Sequence, residues 1–253
     1  MTDDPADRPT HVLTAADVLY EDSYFIAINK PAPLLTQAPP GVPCLEAAVK
    51  LYIKERMQKP AGVYLGIPHR LDRPVSGVIV FARNTKAAQR IHKQFEDRTV
   101  EKVYWAAVEG TIEPPEGTWK DHVRKIEGEA RTQKAEPTDP GAKLAILNYR
   151  VISTFENGTI VELHPQTGRM HQLRVQSAWR GYPVLGDAFY GGTRPFGPPA
   201  ETPREQVIAL HARKLTIAHP ATKERMTFEA PLPAYWPEVR ISHFPIAPPP
   251  PAG

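Results

Sequence analysis

Apolar positions along the chain fall into short runs, and the spacing within each run predicts its element. Residues 24–29 (YFIAIN) read as a strand that runs into Lys30-Pro31-Ala32-Pro33, where the prolines force an extended turn. Over residues 44–59, Leu45, Ala48, Val49 and Ile53 sit near helical spacing, as in a scaffold helix. Residues 78–82 (VIVFA) are apolar and β-branched, which predicts a buried strand. A second helix is predicted over 85–97, with Ala88, Ile91 and Phe95 on one face and Lys86, Arg90 and Lys93 on a solvated one. In residues 101–110 (EKVYWAAVEG), Tyr104, Ala106 and Val108 alternate with Val103, Trp105 and Ala107, so both faces of this strand are apolar.

The pattern then changes. Residues 111–142 are polar and rich in Pro, Glu and Lys, and read as an inserted hairpin carrying His122, Arg124, Lys125 and Arg131, with Glu127 and Glu129 among the bases. Strands are predicted over 143–154 and 159–163, joined by the turn Glu156-Asn157-Gly158. In residues 164–190, Thr167-Gly168 can cap a helix that begins near Arg169 and ends at Gly181. Met170, Leu173 and Ser177 share a side of it, and Arg174 points inward with them. A buried guanidinium needs an anionic partner; Asp72 is available. Residues 208–219 and 224–230 read as the last strands. Hairpin strands alternating with a few helices predict an α+β domain over 11–244, built on a mixed, mostly antiparallel sheet. Residues 1–10 and the proline-rich 245–253 read as disordered ends.

Composition narrows the class. The 253 residues are 41% hydrophobic, enough for a substantial core. Cys44 is the single cysteine, so a disulfide framework or a cysteine-rich zinc site is excluded within the chain, and a reducing, cytoplasmic setting fits. No apolar run reaches the length of a membrane span. A net charge of +3 permits a nucleic-acid partner without demanding one.

The chemistry concentrates in residues 68–83, PHRLDRPVSGVIVFAR. A polar loop turns through Pro74 and Gly77 into the buried strand, which anchors it. Asp72 lies between Arg70 and Arg73, and an anionic side chain so held is a nucleophile candidate or, more plainly, half of a surface ion pair. The full string resembles the catalytic motif of the RluA-type RNA pseudouridine synthases. Three further stretches resemble motifs of that family in order: Lys102-x-Tyr104 with its strand, the 164–190 string, and Leu210-His211-Ala212. The matches begin near Tyr24, as in the family's form without an N-terminal S4-type domain. The family's fold has its sheet in two halves with flanking helices and a cleft between them.

The resemblance implies that uridine in rRNA or tRNA is isomerised to pseudouridine by a monomer without cofactor or metal. It implies that Asp72 promotes glycosidic cleavage, with attack at sugar or base both open. By the same resemblance Arg174 pairs with Asp72, and Tyr104 stacks on the target uracil and assists proton removal. Arg70 fills the gap left by the flipped uridine, Leu210 walls the base pocket, and His69, Arg169 and His171 contact substrate. Val75, Met170, Gln176 and Pro33 depart from the family's usual Thr, Thr, His and Gly. A metal hydrolase using His69, His164 and His171 lacks ligand spacing, and a glycosidase lacks a second carboxylate. A non-catalytic RNA-binding module of the same fold has no use for Asp72, Tyr104 and Arg174 together.

Overall fold

The computed structural model describes residues 12–58 and 62–236. The expected disordered ends and the last residue of the first predicted helix lie outside these. Ten strands form one sheet: β1 (Val18–Glu21), β2 (Phe25–Lys30), β3 (Ser76–Ala82), β4 (Glu101–Glu109), β5 (Glu116–Lys125), β6 (Thr132–Ala135), β7 (Lys143–Phe155), β8 (Gly158–Pro165), β9 (Leu210–Ala218) and β10 (Arg225–Glu229). Their order is β1-β2-β3-β9-β4-β8-β7-β5-β6, with β10 on the outer edge of β9. Every pairing is antiparallel except β3 with β9. Helices α1 (Leu45–Arg56), α2 (Thr85–Glu96) and α3 (Gln172–Ala178) flank it. The α+β class and the mostly antiparallel sheet are those expected from the sequence.

Strand β3 is buried along its whole length because both faces are covered. Ile79 and Phe81 join the larger core with Leu45 and Ile53 of α1, while Val78 and Val80 pack with Ala87 and Ile91 of α2. Successive side chains alternate between the two layers. Asn84 caps α2 by accepting the Ala87 N–H at 2.8 Å. Gly77 is not part of a turn, as expected, but of this strand. It pairs with Ala212 where β3 and β9 run parallel, at φ +113°, and a Cβ there would come 2.3 Å from the Ala212 carbonyl oxygen. No other residue lets the two backbones approach so closely.

Residues 111–142 contain two strands of the sheet. Their β5 runs eight residues in register with β7, and β6 closes the sheet as a hairpin on β5. Trp119 and Val123 face inward, and Asp121, between them on that face, meets Arg180 and Gln176 at 2.8 and 2.7 Å. The helix expected from Arg169 begins at Gln172, with His171 as its N-cap at φ 52°. The Gln172 side chain causes this offset. Its Oε1 accepts from Thr167 Oγ1 at 2.7 Å and from the Arg169 N–H at 3.0 Å, holding residues 167–171 as a loop.

Candidate active site

A cavity of about 700 Å³ opens where the loop before β3, the start of β4 and the loop before α3 converge. Asp72 stands on the first of these. Its neighbours are tied to residues 30–36. Thr36 Oγ1 donates to the Leu71 carbonyl at 2.9 Å and accepts the Leu71 N–H at 3.1 Å. The Arg73 carbonyl accepts from the Leu34 N–H at 3.0 Å and from Lys30 Nζ at 3.3 Å. Clamped on both sides, Asp72 has little backbone freedom left.

Lys30, which follows β2, is not a solvated lysine. It is fully buried and donates to the carbonyls of Leu34, Pro31 and Arg73 at 2.6, 2.9 and 3.3 Å. Burial pushes its pKa down to about 7, while the charge of Asp72 favours the ammonium. Three carbonyl acceptors also match the three N–H donors of the charged form.

The Asp72 carboxylate, 34% exposed, points to the cavity. Arg174 Nη1 lies 3.4 Å from its Oδ2 and His171 Nε2 3.6 Å. Among the described residues neither Arg70 nor Arg73 pairs with Asp72, so the flanking arginines do not supply the cation that their sequence position suggested. Arg174 has a second, tighter anion: its Nε and Nη2 donate to Asp187 Oδ2 and Oδ1 at 2.6 and 2.8 Å. Burial works against the Arg174 charge, but Asp187 and then Asp72 outweigh it and raise its pKa. The fork fixes the guanidinium plane and leaves Nη1 for Asp72. Asp187 is 1% exposed in its side chain and was not singled out in the sequence. A signal was present, since it is the one acidic residue in 164–190, beside a buried arginine.

His171 bridges the two loops. Its Nδ1 lies 2.9 Å from the Tyr190 hydroxyl, which accepts the Thr132 N–H at 3.0 Å. Burial lowers the His171 pKa against the pull of Asp72, and Arg174 lowers it further. Tyr104 lies beside a bulge in the β4–β9 pairing, a local kink that re-aims a side chain. It lines the cavity, and burial and then the charge of Asp72 raise its pKa, so the phenol stays neutral. Leu210, at the start of β9, is buried on the cavity wall.

The remaining expected contacts line the same cavity in different ways. Arg70 is exposed at its mouth. Arg169 Nε donates to the Leu144 carbonyl at 2.9 Å. His69 is turned to the scaffold: its Nε2 accepts the Val80 N–H at 3.1 Å and its ring stacks on Phe95 at 4.6 Å. Burial, with Lys102 nearby, drives its pKa down to about 3, so the ring is neutral and anchors the loop to β3. Val75 is buried, Met170 is exposed at the rim, and Gln176 donates to Asp121 at 2.7 Å behind the site. Pro33 follows a cis peptide bond. Among the described residues no group of three His, Cys, Asp or Glu side chains could hold a metal.

Comparison with known proteins gives the class of this site. Residues 24–179 match the model of the RNA pseudouridylate synthase family, and the chain belongs to that family, in its RluA-type branch. It is similar to ribosomal large subunit pseudouridine synthase D of Pseudomonas aeruginosa, at 35% identity over 86% of this chain and 68% of that one. It is also similar to tRNA pseudouridine synthase C of Salmonella typhi, at 30% identity over 88% of each chain. The solved structure of human RNA pseudouridylate synthase domain containing 4 superposes with a TM-score of 0.70, at 26% identity, covering 86% of this chain and 89% of that one. Members of the family are isomerases that act on RNA.

Proposed function

We propose that this chain isomerises uridine to pseudouridine in a ribosomal or transfer RNA, with Asp72 as the catalytic carboxylate. The carrying observation is the Asp72 carboxylate facing a 700 Å³ cavity, 3.4 Å from a guanidinium that Asp187 locks from behind. The target uridine swings out of its stack into the cavity, at a cost of a few kcal/mol that unpaired loops reduce. Asp72 promotes cleavage of N1–C1′. The uracil turns between Tyr104 and Leu210, C5 bonds to C1′, C5 loses its proton and N1 gains one. Atoms and electrons balance without a redox partner. Tyr104 stacks on the uracil and assists removal of the C5 proton; burial and the charge of Asp72 keep its phenol neutral before the base enters. Arg174 orients Asp72, Arg70 takes the position the uridine leaves, and Arg169 and His171 line the path of the strand. His69 acts through the loop it anchors. The protein works as a monomer in the cytoplasm.

The test is pseudouridine mapping on ribosomal and transfer RNA from cells lacking the gene, incubated with purified protein or with Asp72→Ala. New pseudouridine at a defined site with the parent, and none with the variant, is the expected result. Salt-sensitive RNA binding without new pseudouridine from either protein would reduce the chain to a binding module.

A further inference from the structure

A strip of rings and cations adjoins the cavity at His171, and the mechanism does not use it. Phe189, in the turn Ala188–Tyr190, is 47% exposed. Its ring meets His171 edge to face at 6.1 Å, and His171 Nε2 is 3.6 Å from the Asp72 carboxylate. The Arg131 guanidinium lies 5.2 Å from the Phe189 centroid and 5.6 Å from that of Tyr190. One step along the hairpin, Lys134 Nζ lies 4.0 Å from the Trp179 ring. The groove between hairpin and α3 is lined by Arg131, Lys134, Trp179 and Tyr190. Asp121, the acid on the hairpin's inner face, is occupied by Arg180 and Gln176, and Glu127 and Glu129 stay in the connecting turn.

We propose that Phe189 and Arg131 form a stacking platform for the nucleotide next to the target uridine, and that the hairpin cations then guide the strand's backbone. This rests on the reading that the cavity holds a flipped uridine. An exposed phenylalanine is costly to leave in water, but it is a ready partner for a base, since every base has a π-face. Arg131 adds a second planar surface and a charge matched to phosphate. One edge-to-face ring contact away from Asp72, through His171, is the reach of an adjacent nucleotide and not of a distant one. Alternation of rings with cations along one groove suits an unpaired polyanion carrying bases. A duplex would present only its backbone to the platform.

The platform is tested with single-stranded RNA oligonucleotides carrying 2-aminopurine, whose fluorescence falls on stacking, at each position flanking a target uridine identified by mapping. Parent protein quenches the probe at one adjacent position. Phe189→Ala abolishes that quenching and weakens binding about 10-fold, within the range of base–aromatic stacking; Phe189→Trp restores both. Arg131→Ala weakens binding of the same oligonucleotide, and less so when the flanking nucleotide is abasic. Unchanged quenching and affinity in Phe189→Ala, or an equal loss on intact and abasic RNA, would overturn the platform. The parent protein would still form pseudouridine in that case; failure of the parent on every RNA would instead remove the functional reading beneath it.

Discussion

Arg174 joins two carboxylates of different burial. Asp187 holds it from the buried side through two short bonds, and Asp72 meets its remaining nitrogen at the cavity. Losing the charge at Asp187 unlocks the guanidinium without touching substrate. Asp187→Asn is therefore expected to lower the single-turnover rate of pseudouridine formation by at least 100-fold while RNA affinity changes less than 3-fold. It should also lower stability by about 3 kcal/mol, the cost of a buried charge with a weakened partner. A rate close to that of the parent would show that Asp72 alone orients Arg174. The need for an anion opposite Arg174 was legible in the sequence. The identity of the nearer one was not, because Asp72 stood in a recognisable motif and Asp187 did not.

At the scale of elements, β9 is the hub. It carries Leu210 to the cavity, pairs with β4 along one edge, and shares its other edge between β3 and β10. His211 ties these strands together, with Nδ1 2.8 Å from Ser76 Oγ of β3 and Nε2 3.2 Å from the carbonyl of Ala230 just after β10. Burial pushes its pKa down to about 4, from an ordinary 6.5. The unfolded chain gains this proton near pH 6.5, and the folded chain only near pH 4. Stability is thus fully present above pH 6.5 and falls as pH drops toward 4, by roughly 3 kcal/mol at most for this group. His69 acts in the same direction. Denaturant titrations at pH 7.5 and 4.5 check this: the parent midpoint falls, and His211→Asn shows a smaller fall. An equal fall in both would place the acid sensitivity elsewhere. Most elements were readable from apolar spacing. Residues 111–142 read as an inserted hairpin from their polar, Pro-, Glu- and Lys-rich composition, and the bounds of β5 within them were not legible because its inner face runs Trp119, Asp121, Val123, where an inward carboxylate breaks the alternation by which a strand is recognised.

For the whole molecule, the formal charge of +3 understates the field an RNA meets. Arg70, Arg98, Lys102 and Arg169 line the cavity, and Arg131 and Lys134 continue along the hairpin groove. Burial and then Arg98 lower the Lys102 pKa, a sign of cations crowded where a polyanion would relieve them. Binding of single-stranded RNA should fall linearly with log salt, with a slope near −3 for about four phosphate contacts. Lys134→Ala should make the slope less steep by about 0.7. A slope near zero would mean that stacking alone holds the RNA.

Local pattern determined much of this protein. Periodicity marked most strands and all three helices, and the motif around Asp72 pointed to the chemistry. These depend on neighbours in sequence, where spacing and side-chain type suffice. Tertiary structure decided the rest: the burial of Lys30 under the Asp72 loop, the turn of His69 toward β3, the fork of Asp187 on Arg174, and Gly77 against Ala212. Each joins elements that only sheet order brings together. Burial then converts an ordinary charged or polar side chain into one that must find a partner, wherever in the chain that partner lies.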